Sequence, residues 1–300
     1  MADTSNLFTL KATAIPGTES RLGEGPCWHP EEQVLYWVDI EGHALRKYNP
    51  DTAEVEVYLM PERINAVVPI AGGGLLVALH NRICTYETAT GKLKEMAKPL
   101  NDATIRLNDG KCDPAGRFWV GTMALDVRTG AAELYRLDEK LQVNRLLQHL
   151  TISNGLAWSA DAKILYFIDT PTQTIQAFDF NVATGEISNK REVVHVSEQE
   201  GKPDGMTIDS DGNLWVALHG GAAVACYDPR TGAQLHKIEV PATNVTSCTF
   251  GGLNLDTLYI TTAREWLPAA QLEQYPLSGS LFEVKPGVRG RKVNFFKGEV

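Results

Sequence analysis

The chain has 300 residues, 43% of them hydrophobic, and a formal net charge of −9. That length can bury a large core, and the absence of a basic stripe excludes nucleic acid as the main partner. Five widely spaced cysteines, Cys27, Cys84, Cys112, Cys226 and Cys248, form no CxxC pair and exclude a disulfide framework and a cysteine zinc cluster.

At the start, Met1 to Lys11 has no basic flank followed by an apolar block, so no secretory signal is expected. The longest apolar stretch, 66–79, is broken by Pro69 and Gly72-Gly73-Gly74 and is too short for a bilayer. These features place the chain in the cytoplasm with no membrane partner.

A repeat then runs the length of the sequence. Leu35, Leu75, Phe118, Leu165, Leu214 and Leu258 open six β-prone runs about 40 to 49 residues apart, the period of a propeller unit. Before each run stands a turn segment: His29-Pro30-Glu31-Glu32, Ala71-Gly72-Gly73-Gly74, Asp113-Pro114-Ala115-Gly116, Ser159-Ala160-Asp161-Ala162, Asp209-Ser210-Asp211-Gly212 and Gly251-Gly252-Leu253-Asn254. Gly, Asp, Asn and Pro supply the backbone angles and local hydrogen bonds that tight turns need. A second class, Asn49-Pro50-Asp51-Thr52, Ala89-Thr90-Gly91, Ala183-Thr184-Gly185 and Arg230-Thr231-Gly232, would join third to fourth strands. The one helix candidate is Pro268 to Tyr275. The pattern predicts an all-β, six-bladed β-propeller with four-stranded antiparallel blades. It forms one domain over 1–300, with Thr9 to Ile15 pairing with the last blade.

Trp37, Trp119, Tyr166, Trp215 and Tyr259 recur at matched strand positions, where packing between blades is the expected role. The seven histidines never show HxH or HExxH spacing. His80 and His219 each follow a Val-Ala-Leu run and should leave the second strand near one rim as hydrogen-bonded loop residues. No GxSxG elbow occurs, so nucleophilic catalysis has little support.

A polar residue also repeats. Glu24, Asn65, Asn108, Asn154 and Asp204 each stand ten or eleven positions ahead of a second-strand run. If the units are related by rotation, these residues share one ring. Glu24, Asn154 and Asp204 are hard oxygen donors, and burying two carboxylates together is costly without a cation. Spacing alone leaves open the alternative that they are three separate strand-start caps, and Asn65 could simply satisfy buried backbone.

Four segments carry a resemblance: Leu22-Gly23-Glu24-Gly25-Pro26, Arg106-Leu107-Asn108-Asp109-Gly110-Lys111, Ser153-Asn154-Gly155-Leu156-Ala157 and Lys202-Pro203-Asp204-Gly205-Met206. With Gly121-Thr122-Met123, they closely resemble the senescence marker protein-30/gluconolactonase/luciferin-regenerating enzyme family, from about Arg21 to Val284. The resemblance implies a six-bladed propeller with one catalytic divalent metal, whose ligands map to Glu24, Asn154 and Asp204. It implies substrate contacts from Arg106 and Asn108, and from Asp126, which follows Leu125 and stands where vertebrate members have Glu. The metal implied is calcium first, with zinc, manganese or iron as alternatives.

The expected activity is metal-dependent hydrolysis of a sugar lactone to its acid, that is, a carboxylic-ester hydrolase. A cation would polarise the carbonyl, Asp204 would act as general base, and Arg106 and Asn108 would grip hydroxyls or the developing oxyanion. The small-molecule lactone is the expected partner, with no obligate protein partner. Competing readings are a phosphotriesterase-like metal hydrolase, a non-enzymatic calcium-binding regulator, and a protein-interaction propeller.

Overall fold

The computed structural model describes residues 8–300. The expectation for Met1 to Lys11 therefore lies largely outside the described residues. Each repeat unit starts with an innermost strand and steps outward, and burial falls along that path. In the first unit, Val34–Asp39 is buried at every position, whereas no residue of Glu54–Leu59 is. The second unit repeats this with Leu75–Leu79 and Lys92–Ala97. A strand covered on both faces has no need of polar alternation, which is why the second-strand runs read as continuous apolar blocks.

Four units stand as separate four-stranded sheets, beginning with Gly23–His29, Ile64–Pro69, Ile105–Cys112 and Ser153–Trp158. The expected set of six four-stranded blades is corrected here. The remaining strands form one nine-stranded sheet, leaving four independent blades in an all-β, propeller-like fold. The join is a single pair, His219 with Asn244, which links the strand Leu214–His219 to Asn244–Gly251. Phe8–Lys11 adds in parallel to Gln234–Glu239, while Thr13–Ala14 pairs with Phe282–Val284. A repeat period reports the spacing of units and is blind to one rim contact that fuses two of them.

The turn residues act as expected. Asp113 accepts the backbone N–H groups of Ala115 (2.9 Å) and Arg117 (3.1 Å), and its other oxygen takes the Trp119 indole N–H at 2.9 Å. Asp209 repeats this with Asp211 (2.9 Å), Asn213 (2.8 Å) and the Trp215 indole (2.9 Å). Each aspartate thus closes a turn and anchors the core tryptophan six residues on. The helix Ala269–Gln274 falls within the predicted insertion.

Each innermost strand packs against the next, and Asn244–Gly251 returns to Gly23–His29, so these strands surround a channel. One end is crossed by the C-terminal segment. Arg289 C=O accepts from Ser210 N–H at 2.8 Å, Arg291 Nη1 donates to Trp158 O at 3.1 Å, and Asn294 Nδ2 donates to Cys112 O at 3.1 Å. Between this strap and the ring of polar residues lies a cavity of about 120 Å³ lined by Cys27, Asp109, Lys111, Trp158, Ser247 and Asn294 among others. Among the described residues, no helix is long and apolar enough to cross a membrane.

Candidate active site

Every innermost strand loses register at its ring position. The shifts fall between Glu24 and Cys27, Ile64 and Ala66, Leu107 and Gly110, Asn154 and Leu156, Pro203 and Met206, and Val245 and Ser247. A bulge frees one or two residues from the ladder and re-aims their side chains. The residues so released include Asn65, Asn108, Asp109, Asp204 and Thr246, while Glu24 and Asn154 stand at the last paired position before the break. Gly25 and Gly155, at φ +51° and +26°, carry the turn of the backbone after Glu24 and Asn154. A Cβ on Gly155 would stand 2.8 Å from the carbonyl oxygen of Asp204, so the glycine also lets the two strands approach.

The structure joins several predicted residues through a continuous hydrogen-bond chain. Asn65 Nδ2 donates to Leu79 O at 2.8 Å, and its Oδ1 accepts from Arg106 Nη1 at 3.0 Å. The same nitrogen donates to Asn108 Oδ1 at 2.6 Å and to Leu107 O at 3.0 Å. Asn108 Nδ2 donates to Asn154 Oδ1 at 2.6 Å and to Ser153 O at 2.9 Å. Asn154 Nδ2 donates to Thr170 Oγ1 at 2.9 Å, whose hydroxyl donates to Pro203 O at 2.8 Å, one residue before Asp204.

The carboxylates are different in kind. Glu24 accepts only the N–H of Gly25, at 2.8 Å. Burial and then the nearby Asp109 push its pKa up to about 8, with Gly25 and Arg106 opposing. Asp204 is pushed well above the usual carboxylate range by burial, then by Glu24 and Asp109. Burial also raises Asp109, against the pull of Lys111. Arg106, deprived of water, is lowered to about 10 although Glu24 holds its charge in place. Glu24 and Asp204 both act on the one Arg106 guanidinium while Asp109 adds to their repulsion, which a hard cation would relieve.

Among the described residues, no three His, Cys, Asp or Glu side chains form a metal-holding group. A cation here would therefore draw on the amide oxygen of Asn154 together with Glu24 and Asp204. Two desolvated, poorly hydrogen-bonded carboxylates and an amide oxygen fit a hard divalent ion.

Asp126 lies apart from this cluster. Its side chain is 60% exposed and pairs with Arg128 at 3.1 Å. His80 contacts Ala103 O through Nε2 at 3.0 Å, a loop hydrogen bond of the kind expected. His219 sits at the sheet junction, where burial and then Lys202 lower its pKa to about 4. Sequence reasoning missed Asp109, Thr170 and Thr246. Asp109 was signalled by the Asp-Gly that follows Asn108, matching Glu24-Gly25, Asn154-Gly155 and Asp204-Gly205. Thr246, whose hydroxyl bonds Gly23 O at 2.5 Å and Thr261 Oγ1 at 2.9 Å, gave no such signal.

Comparison with known proteins identifies the family. The model of the SMP-30/gluconolactonase/LRE-like region matches residues 22–264. The chain belongs to this family. It is 36% identical over 287 residues to regucalcin of Danio rerio, covering 95% of this chain and 97% of the relative. To the putative sugar lactone lactonase YvrE of Bacillus subtilis (strain 168) it is 36% identical over 292 residues, covering 97% and 100%. Among solved structures, a calcium-binding protein, regucalcin, from Agrobacterium tumefaciens strain C58 superposes with a TM-score of 0.92 at 28% identity, covering 97% of this chain and 99% of the other.

Proposed function

We propose that the chain, acting as one unit over 1–300, hydrolyses a sugar lactone of the aldonolactone type with the help of one divalent cation. The observation that carries this reading is the pair Glu24 and Asp204, two desolvated carboxylates beside Arg106, with Glu24 adding to the rise that burial imposes on Asp204. Family membership and the likeness to a putative sugar lactone lactonase support the substrate class. Glu24, Asn154 and Asp204 would hold the cation, and calcium is favoured by the all-oxygen donors and by the calcium-binding neighbour. When bound, such an ion supplies Lewis acidity for a carbonyl oxygen.

The chain's own groups do the rest. Asp204 accepts the proton of the attacking water, having only one backbone donor to compete for its oxygens. Arg106 spends Nη1 on all three of its protein hydrogen bonds, so Nε and Nη2 remain to orient hydroxyls or the developing oxyanion. Asn108 has given both amide hydrogens to protein partners and would meet a substrate only through Oδ1. The exposed Asp126 would contact a sugar only at the outer edge of the site. The five free, buried cysteines are those of a protein kept in a reducing, cytoplasmic setting.

The test is a panel of aldonolactones assayed after chelation and add-back of Ca²⁺, Mn²⁺ and Zn²⁺, with paraoxon alongside. Turnover of lactones that depends on a cation is expected. Turnover of paraoxon alone would indicate a phosphotriesterase-like hydrolase, and cation binding without any turnover would indicate a regulator.

A further inference from the structure

We infer that Thr170 is a positioning residue for the candidate cation site: it holds the NH₂ end of the Asn154 amide, leaving the oxygen as the end free of Thr170, and ties that amide to the backbone preceding Asp204. The inference rests on the proposed cation site and goes beyond it by naming what orients one of its donors.

The two ends of an asparagine amide have the same shape, so only neighbouring donors and acceptors decide which end faces where. Pro203 O is a carbonyl and can only accept, and the Thr170 hydroxyl hydrogen is committed to it at 2.8 Å. Toward Asn154 the same hydroxyl can therefore only accept, so the NH₂ end must face it, as the 2.9 Å contact has it. Asn108 imposes the same orientation from the other side. Arg106 can only donate, which turns Asn108 Oδ1 toward it at 2.6 Å and leaves Asn108 Nδ2 facing Asn154. Both neighbours demand the same orientation, with Oδ1 turned toward Asn108 and the NH₂ end toward Thr170.

Thr170 is itself held firmly. Its N–H donates to Ile152 O at 3.1 Å, and Asp169 just before it takes the N–H of Ile152 at 2.9 Å. It begins the short 3-10 turn Thr170–Thr172 and is buried. A single hydroxyl thus connects donors contributed by two neighbouring units, Asn154 from one and the strand of Asp204 from the next. Groups one step behind the ligands orient them and tune affinity in this way.

The experiment uses the full chain, stripped with EDTA and titrated with Ca²⁺ by calorimetry. Thr170→Val keeps the shape and removes the hydroxyl, and it should weaken Ca²⁺ binding by about 10- to 100-fold. Thr170→Ser restores the hydroxyl and should bind within about 3-fold of the parent chain. Thr170→Ala is a second deletion in case the valine does not fold. The deciding measurement is the same deletion in an Asn154→Asp background. A carboxylate has no wrong end, so there the deletion should cost less than about 3-fold. An equal loss in both backgrounds would make Thr170 merely structural and overturn the inference. Unchanged Ca²⁺ affinity in Thr170→Val and Thr170→Ala would overturn it while leaving the proposed function standing. A parent chain that binds no Ca²⁺, Mn²⁺ or Zn²⁺ would overturn both.

Discussion

Carboxylates in the turns between first and second strands contrast with those in the channel. Asp113 and Asp209 in the turns are nearly saturated, each taking two backbone N–H groups and a tryptophan indole. These donors, joined at Asp113 by the Arg117 guanidinium at 2.6 Å, offset the cost of burial. Glu24 and Asp204 in the channel are less fully enclosed yet still desolvated, and each has one backbone donor to help it while other acids push it up. The fold can make a buried carboxylate comfortable and does so repeatedly. Where it does not, the unmet demand points to a ligand.

The sharpest way to break this comparison is to convert the channel acids to amides. Asp204→Asn should lower lactonase turnover by ~100-fold or more even at saturating cation, because an amide cannot take the water's proton. Glu24→Gln should weaken cation binding but recover most of its turnover when saturated. Equal recovery of both would remove Asp204 as base. Arg106→Ala should lower kcat/KM by ~10- to 100-fold with Ca²⁺ affinity nearly intact in calorimetry. Loss of cation binding in that variant would instead make Arg106 a support for the site.

The turn acids should fail in the opposite manner. Asp209→Ala removes acceptors from two backbone N–H groups and the Trp215 indole, and should cost about 2–4 kcal/mol in denaturant unfolding. Added Ca²⁺ should not restore it beyond the gain seen in the parent chain.

A smaller effect should appear in the pH dependence of the chelated protein. An acid whose pKa is raised on folding favours the protonated fold, so stability declines as pH rises from the unfolded value through the folded one. For Glu24 that window runs from 4.5 to about 8, and Asp204 and Asp109 act in the same direction. The melting temperature without cation should therefore fall by a few degrees across it. Ca²⁺ should reverse the fall near pH 8 and do little near pH 4.5, where its ligands hold protons. A flat profile would mean that the channel acids are hydrogen-bonded after all.

Much of this was readable from the residues. Both turn classes and a short helix within Pro268 to Tyr275 followed from local chemistry, and the ten-or-eleven-residue offset placed Asn65, Asn108, Asn154 and Asp204 on corresponding strands, though the period overstated the number of separate blades. What stayed hidden depends on partners distant in sequence. Thr170 has meaning only through Asn154 and Pro203, the latter 33 residues on. The fusion of two units into a nine-stranded sheet turns on His219 meeting Asn244, and neither residue departs from an ordinary strand end. The strap around Arg291 and Asn294 lies beyond the last repeat, where periodicity has nothing to say. Asn65 was legible by half: it satisfies the Leu79 carbonyl as a buried-backbone partner would, and it also anchors Arg106.

The most direct test of the account is the rate of gluconolactone hydrolysis by the EDTA-stripped chain as Ca²⁺ is added back, followed beside the Glu24→Gln, Asp204→Asn double variant. The account predicts negligible activity without cation, saturable recovery in the parent chain, and no recovery in the double variant at any Ca²⁺ concentration. Full activity in the stripped chain, or equal recovery in the double variant, would contradict it.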